Sequence, residues 1–330
     1  MRPRASTLVD VSPGMTAYGF HRGSADGGRH YFGPERFGWF AAEAARRGLW
    51  DRVREVTSAP ASDADLESFH TELFLSTLRE CCETNEGSLD DGPTPAEAHG
   101  PATAAAVAGA SITGVHRLLD GEARSVFVPI AGFHHAKPEA ARNYCLVNDC
   151  ALALLAARGR GARVAYVDID VHFGDGVFEA FRGDAGVAVI DFHQDGDTFH
   201  YGKEAEVGPV DDGRMMSVLF PPGTEDDAFF EKWDRAVRRI RAFAPDLIVL
   251  QAGADGLAGD RLGGLALTEL VHRGVTADLR NIAPRGLLVL GGGGYHADNL
   301  ANAWCAVIET LIEDNVVIPR KRRRPVEDPG

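Results

Sequence analysis

The chain has 330 residues, 45% of them hydrophobic, and a formal net charge of −14. This composition excludes a disordered or fibrous chain, and no apolar run approaches the roughly 20 residues that a membrane-spanning helix needs. An acidic surface repels phosphate backbones, so we expect no direct binding to nucleic acid and a preference for cationic substrates.

The two ends of the chain and its cysteines indicate the cellular compartment and the extent of the catalytic domain. Met1–Asp10 lacks the apolar stretch of a signal peptide, which favours a cytoplasmic protein without membrane association. Five cysteines without a CxxC pair predict free, mostly buried thiols. The run Arg320–Arg324 predicts a basic tail at about 315–330, after a single catalytic domain. We expect this tail to be solvated; a role in holding a partner or a membrane surface is the alternative.

In chain order, the less regular first hundred residues contain a predicted helix at Gly38–Arg47 and a surface loop at Thr84–Pro101. A second helix is predicted at Pro101–Leu119. Continuous apolar runs then predict five strands, which alternate with amphipathic segments: Ser125–Ile130, Arg163–Ile169, Val187–Phe192, Leu247–Ala252 and Leu287–Leu290. The alternation predicts a single-domain α/β fold with a mostly parallel sheet and helices on both faces.

Polar motifs stand at the ends of all five predicted strands. In strand order they are Gly132–His135, Asp168–His172, Asp191–His193, Ala252–Asp255 and Gly291–Tyr295. Ligands in open α/β sheets bind outside the carboxyl ends of the strands. Five motifs at five such ends therefore predict one shared site.

The second and fourth motifs suit a metal ion. Asp170 and His172 are two residues apart at a strand end, so their side chains point to the same side, and Asp255 would supply a third ligand. Two carboxylates and one imidazole suit Zn²⁺, and such oxygen-rich ligands also accept Fe²⁺ or Mn²⁺. A structural alternative stays open for this motif alone, with Asp168 and Asp170 capping a turn and His172 packed in the core.

The remaining motifs suit catalysis. His134 and His135 lie in a Gly-rich turn and suit general acid–base work, with Asp168 and Asp175 available to orient them. Tyr295 follows four glycines, where the backbone can pass close to a ligand and a phenol can donate to an oxyanion. A plain flexible turn is the alternative for Tyr295.

The chain resembles the histone deacetylase family, which includes acetoin-utilisation proteins and acetylpolyamine amidohydrolases, and is similar to its bacterial members. The resemblance is carried, in the family's order, by G-F-H-H-A-K, Y-C-L-V-N-D, Y-V-D-I-D-V-H-F-G-D-G-V, L-Q-A-G-A-D-G-L-A-G-D-R-L-G and L-G-G-G-G-Y. It spans roughly Tyr31 to Glu313. It implies an arginase/deacetylase-type fold and a metal-dependent amidohydrolase that removes an acetyl or similar acyl group from an amine.

The resemblance also implies a role for each site residue. Zn²⁺ is expected on Asp170, His172 and Asp255, with a K⁺ ion beside them on the backbone carbonyls of Asp168, Asp170 and His172. His134 and His135 are expected to flank the reacting water, with His135 as general base and acid. The carboxylates of Asp168 and Asp175 are expected to pair with His134 and His135 respectively. Tyr295 is expected to stabilise the oxyanion.

A narrow substrate channel is implied as well. Its expected residues are the walls Tyr144, His200 and Leu262, the floor at Gly294 and the rim aspartate Asp91. Arg36 matches an arginine near an internal channel behind the metal. The chain departs from the family pattern at Asn143, Phe173, Asp191 and His200, and these departures bear on the substrate rather than on the reaction.

Three functions are compatible with this pattern. The favoured one is deacylation of acyl-lysine in a protein or peptide. The second is a small-molecule deacetylase acting on an acetylated polyamine or a biosynthetic intermediate; Leu262 argues against a polyamine, since polyamine-specialised members can carry Glu there. The third is a non-catalytic binding protein, against which the intact set of site residues argues. The sequence leaves the oligomeric state open.

Overall fold

A computed structural model describes residues 7–21, 32–91, 94–195 and 210–313 of the protein. Within these ranges nine strands form one sheet: β1 (Thr7–Asp10), β2 (Arg54–Val56), β3 (Ser125–Val128), β4 (Val164–Asp168), β5 (Val187–Gln194), β6 (Val210–Asp211), β7 (Met215–Phe220), β8 (Leu247–Gln251) and β9 (Leu287–Leu290). The strand order is β2-β1-β3-β9-β8-β4-β5-β7-β6. All neighbours are parallel except β6 and β7.

The five strands predicted from apolar runs are the five central neighbours β3-β9-β8-β4-β5. Their observed ends lie within two residues of the predicted ones. Every residue of these five strands is buried. Burial on both faces explains why they read as continuous apolar runs rather than as alternating patterns. The outer strands β1, β2, β6 and β7 were not predicted.

Ten α-helices accompany the sheet in the described ranges: α1 (Pro13–Thr16), α2 (Glu35–Arg46), α3 (Asp63–Glu67), α4 (Glu72–Thr84), α5 (Gly100–Leu119), α6 (Asp149–Gly159), α7 (Asp175–Phe181), α8 (Asp226–Phe243), α9 (Glu269–Leu279) and α10 (Ala297–Ile312). Helix α6 packs against both α5 and α7. Helix α10 packs against α2 and α9, and α9 also packs against α8. Helix α2 begins three residues before the predicted start, directly after Pro34. Proline is tolerated there because the first helical amides need no partner within the helix.

The start of α6 ties the helix to a polar turn at the carboxyl edge of the sheet. Asn148 caps α6 by accepting the Ala151 N–H at 2.8 Å. Its side-chain amide donates to the carbonyls of His134 and Ala136 at 3.1 and 2.9 Å. One buried residue therefore fixes both the helix start and the turn that carries the two histidines.

The expectation about the cysteines is met. All five cysteines are free, and four of them are buried. No helix in the described ranges is long and apolar enough to cross a membrane.

Candidate metal centre and active site

The structure brings Asp170, His172 and Asp255 together at the carboxyl edge of β4 and β8. Their ligand atoms lie within 4.8 Å of one another, and all three side chains are buried. His172 Nδ1 is 2.9 Å from Asp170 Oδ1 and 3.2 Å from Asp255 Oδ2. The predicted ligand atoms therefore converge on one point.

The hydrogen bonds around this cluster aim the carboxylates. Asp170 Oδ2 accepts the Gln251 side-chain amide at 2.7 Å and the Gly293 N–H at 2.9 Å. Asp255 Oδ1 accepts the Val171 N–H at 2.9 Å. In the described part of the chain, the buried Asp255 Oδ2 accepts no hydrogen bond. A buried carboxylate oxygen left without a donor is an atom that a cation would satisfy.

The electrostatics of the cluster point the same way. Burial, and then the charge of Asp170, raise the pKa of Asp255 to about 7. Burial would lower the pKa of His172, but the neighbouring carboxylates of Asp170 and Asp255 outweigh this and raise that pKa well above its ordinary range. The negative charge of Asp255 is therefore poorly compensated, whereas at Asp170 burial is outweighed by His134 and His172, which hold the pKa of that carboxyl well below its usual range. A divalent ion fits this donor set of two carboxylates and one imidazole.

The two adjacent histidines lie beside the cluster, each with its own carboxylate. His134 Nδ1 is 2.8 Å from Asp168 Oδ2, and His135 Nδ1 is 2.9 Å from Asp175 Oδ1. The Nε2 atoms of the two rings are 3.2 Å apart, so both rings turn these atoms toward the same space. The carboxylates select the Nδ1–H tautomers and leave Nε2 as the reactive position.

The two imidazoles differ in charge. Burial would lower the pKa of His134, but the charges of Asp168 and Asp170 raise it to about 10. For His135, burial and then the charge of His134 outweigh the help of Asp175 and lower the pKa to about 4. At neutral pH, His134 carries a proton on each ring nitrogen, and neutral His135 keeps its lone pair on Nε2, 3.2 Å from His134 Nε2.

Asp175 has a second partner that sequence reasoning did not assign. Lys137 Nζ lies 2.7 Å from Asp175 Oδ2 and 2.8 Å from Glu179 Oε2. Burial would raise the pKa of Asp175, but His135 and Lys137 hold it well below its usual range. Asp175 is therefore a carboxylate clamped from two sides.

Tyr295 is buried beside the cluster, and its ring contacts the rings of Phe32 and Tyr144. Burial, and then the charges of Asp255 and Asp170, raise its pKa well above the ordinary value of a phenol. The hydroxyl therefore stays protonated and can act as a hydrogen-bond donor.

The glycine run before Tyr295 is held by Arg36, which is fully buried in α2. Its guanidinium donates to the carbonyls of Gly294 and Gly292 at 3.0 and 2.6 Å. It also lies over the Phe32 ring at 4.0 Å. Arg36 thus holds the buried glycine backbone that leads to Tyr295.

The residues predicted to form the substrate channel differ in their burial. Tyr144 is buried with its ring 6.3 Å from that of Tyr295, and Leu262 is half-buried. Asp91 is exposed. His200, the other predicted wall, lies outside the described residues.

Sequence reasoning missed Asp90, the neighbour of Asp91. Asp90 accepts the Asn143 N–H at 2.8 Å and the Thr94 hydroxyl at 2.6 Å. Asn143 and Tyr144 both have left-handed backbone conformations, with φ of 46° and 66°. Such conformations are strained for residues other than glycine. Asp90, which accepts the Asn143 N–H, and Thr94, which accepts the Tyr144 N–H at 2.8 Å, hold the loop in place.

Two of the departures from the family pattern are in contact with the same histidine. The buried rings of Phe173 and His193 are 4.7 Å apart. Asp191 accepts from His193 Nδ1 at 2.6 Å and from the Gly174 N–H at 2.9 Å. Both residues belong to the buried layer next to Asp168 rather than to the metal cluster.

Taken together, the fold and this site define a class. A parallel α/β sheet carries a two-carboxylate, one-imidazole cluster at its carboxyl edge, beside a histidine pair and a protonated phenol. These are the groups of a metal-dependent hydrolase.

Comparisons with known proteins give the family. The histone deacetylase domain family matches residues 30–311. Histone deacetylase 8 of Xenopus tropicalis is 34% identical over 80% of this chain and 74% of its own length. Histone deacetylase RPD3 of Saccharomyces cerevisiae is 29% identical over 96% of this chain and 73% of its own. The crystal structure of the HDA15 HD domain superposes with a TM-score of 0.84 at 27% identity, over 95% of this chain and 92% of that one.

The chain belongs to the histone deacetylase family. It is a metal-dependent deacetylase with an arginase/deacetylase-type fold, and both predictions are confirmed.

Proposed function

We propose that the chain is a zinc-dependent deacetylase that acts on acyl-lysine side chains of proteins or peptides. The observation that carries the proposal is the buried cluster of Asp170, His172 and Asp255, in which Asp255 Oδ2 accepts no hydrogen bond within the described residues. Mixed carboxylate and imidazole ligands suit Zn²⁺, and Fe²⁺ or Mn²⁺ are the alternatives. The acidic surface favours a cationic polypeptide as the source of the acyl-lysine.

Asp170, His172 and Asp255 would hold the ion, which when bound polarises the substrate carbonyl and acidifies a water molecule. Neutral His135 takes the water proton at Nε2 as the water oxygen bonds to the carbonyl carbon, and its Nδ1–H stays hydrogen-bonded to Asp175. It then delivers a proton to the nitrogen of the leaving amine as the amide C–N bond breaks. One residue thus acts as base and then as acid.

His134 and Tyr295 stabilise charge. His134 is kept protonated by Asp168 and places a positive charge next to the space where the carbonyl oxygen becomes negative. Tyr295 remains a phenol and donates to that oxygen. A donor of this type is worth about 3 kcal/mol of barrier.

The K⁺ ion implied by the family is expected on backbone carbonyls and does not require the carboxylates of Asp168 and Asp191. Asp168 already accepts from His134, the Tyr166 hydroxyl and the Asp170 N–H, and Asp191 accepts from His193 and Gly174. Each of the four carboxylate oxygens therefore has a protein donor. No step above depends on K⁺.

A small-molecule substrate is the second candidate, and Leu262 separates the two. This half-buried side chain offers no carboxylate to a second ammonium group. We expect the metal-loaded protein to cleave an acetyl-lysine peptide with at least a tenfold higher kcat/KM than an N-acetylated polyamine, a difference of about 1.4 kcal/mol. A higher kcat/KM for the polyamine would contradict the proposed substrate.

A variant pair sharpens this test. Leu262→Glu adds a carboxylate at the channel wall and should raise kcat/KM for the polyamine, while Leu262→Gln, of the same shape, should not. An equal response of both variants would show that residue 262 does not contact the substrate.

A further inference from the structure

A buried carboxylate that belongs neither to the metal cluster nor to the histidine pairs lies between two loops of the site. Asp260 is 8% exposed and stands in the loop after β8. Its Oδ2 accepts the backbone N–H of Tyr295 at 2.8 Å, and its Oδ1 accepts the N–H of Leu262 at 2.9 Å. The Asp260 side chain therefore links the loop that carries Leu262, the predicted channel wall, to the loop that carries Tyr295.

The backbone before Tyr295 gives a reason for such a tie. Gly292 and Gly294 have φ of 75° and 132°, conformations that other residues rarely adopt. A run of four glycines has no side chains of its own to hold it in place, so the position of Tyr295 must be set by outside contacts. Arg36 holds the carbonyls of Gly292 and Gly294 from one side. Asp260 holds the amide of Tyr295 from the other.

We infer that Asp260 is the positioning residue for Tyr295, fixing the phenol at the distance from the substrate carbonyl that catalysis needs. The inference rests on the proposed role of Tyr295 as oxyanion donor. A carboxylate is required because both oxygens of Asp260 accept backbone N–H groups. Asparagine has the same shape but turns an NH₂ group toward one of these donors, so that one hydrogen bond is lost.

The test is a double-mutant cycle on the metal-loaded enzyme with an acetyl-lysine peptide. Asp260→Asn should lower kcat roughly 10- to 100-fold and change KM less than threefold, because a small misplacement of a catalytic group affects turnover more than binding. Tyr295→Phe should lower kcat roughly 10²- to 10³-fold with the metal still bound. In the Tyr295→Phe background, Asp260→Asn should cost less than a further twofold, because the hydroxyl to be positioned is gone.

Asp298→Asn is the matched control. Asp298 is an exposed carboxylate three residues after Tyr295 and should stay within twofold of wild type. Asp260→Ser, which keeps one acceptor in a smaller side chain, serves if Asp260→Asn does not fold. It should show the same loss of effect in the Tyr295→Phe background.

The outcomes separate the two claims. Multiplicative losses in the double variant, or near-wild-type turnover of Asp260→Asn, would overturn the positioning role. Wild-type turnover of Tyr295→Phe would instead contradict the proposed role of Tyr295.

Discussion

The two histidine–aspartate pairs of the site look alike in sequence and differ in their surroundings. His134 pairs with Asp168, whose Oδ2 also accepts a neutral hydroxyl, that of Tyr166. His135 pairs with Asp175, which also binds the ammonium of Lys137. Asp168 and Asp170 raise the pKa of His134 to about 10, whereas burial and the charge of His134 lower that of His135 to about 4.

The difference teaches how adjacent identical residues take different roles. Burial and the charge of the neighbouring His134 lower the pKa of His135, so its imidazole stays neutral and can accept a proton. The charges of Asp168 and Asp170 outweigh burial at His134 and keep that imidazole charged. The structure therefore favours His135 as the base and His134 as a fixed positive charge.

The largest expected effect comes from removing the base. His135→Ala should lower kcat roughly 10²- to 10⁴-fold, the usual contribution of general acid–base catalysis. His134→Ala removes only electrostatic stabilisation, and its loss should be at least tenfold smaller. Steady-state kinetics on variants of equal metal content checks this. Equal losses, or a larger loss for His134→Ala, would break the comparison.

A smaller effect is expected at Lys137. Lys137→Met removes the second clamp on Asp175 and should lower kcat about 3- to 30-fold, and Lys137→Arg should restore most of it by keeping the charge. Glu179→Gln is the control, because Glu179 is the exposed partner of the same lysine and should change kcat less than twofold. If Lys137→Met turns over at the wild-type rate, the lysine does not distinguish the two pairs.

The smallest effect concerns stability rather than turnover. It comes from His70, which is hydrogen-bonded to Asn148, the residue that holds the turn with His134 and His135. Buried His70 accepts the Asn148 N–H at 3.0 Å at Nε2, and burial lowers its pKa from 6.5 to about 4. Between these pH values the unfolded chain binds a proton that the folded chain does not, so stability falls as the pH falls. The loss across this window should be roughly 3 kcal/mol.

His70→Gln keeps a side-chain acceptor and cannot titrate, which isolates this contribution. Urea denaturation at pH 7 and at pH 4 should show a smaller acid loss for the variant than for wild type. Identical losses would mean that His70 is solvated or protonated in the folded protein.

Much of the fold could be predicted, and the reason is physical. The central strands are buried on both faces and appear as apolar runs, whereas β2 is only three residues long and largely exposed. The residues that meet at the metal cluster could be found because each follows a strand end. The hydrogen-bond partners of these residues could not be predicted, because they are brought together by folding from distant parts of the chain.

Contacts to backbone and between distant loops were not visible in the sequence. Lys137 and Asp260 both stand in recognised motifs, yet their roles depend on Asp175 and on the amide of Tyr295, which folding brings to them from other loops. Which of the adjacent Asp90 and Asp91 turns inward is likewise decided by the turn, not by residue type.

The central claim is that deacetylation depends on an ion held by Asp170, His172 and Asp255. The most direct measurement is titration of the metal-free protein with Zn²⁺ while following hydrolysis of an acetyl-lysine peptide, alongside metal analysis of Asp255→Ala. The account predicts no activity without metal, activity that rises until one equivalent is bound, and no tightly bound ion in Asp255→Ala. Full activity after exhaustive chelation, or full metal occupancy in Asp255→Ala, would contradict it.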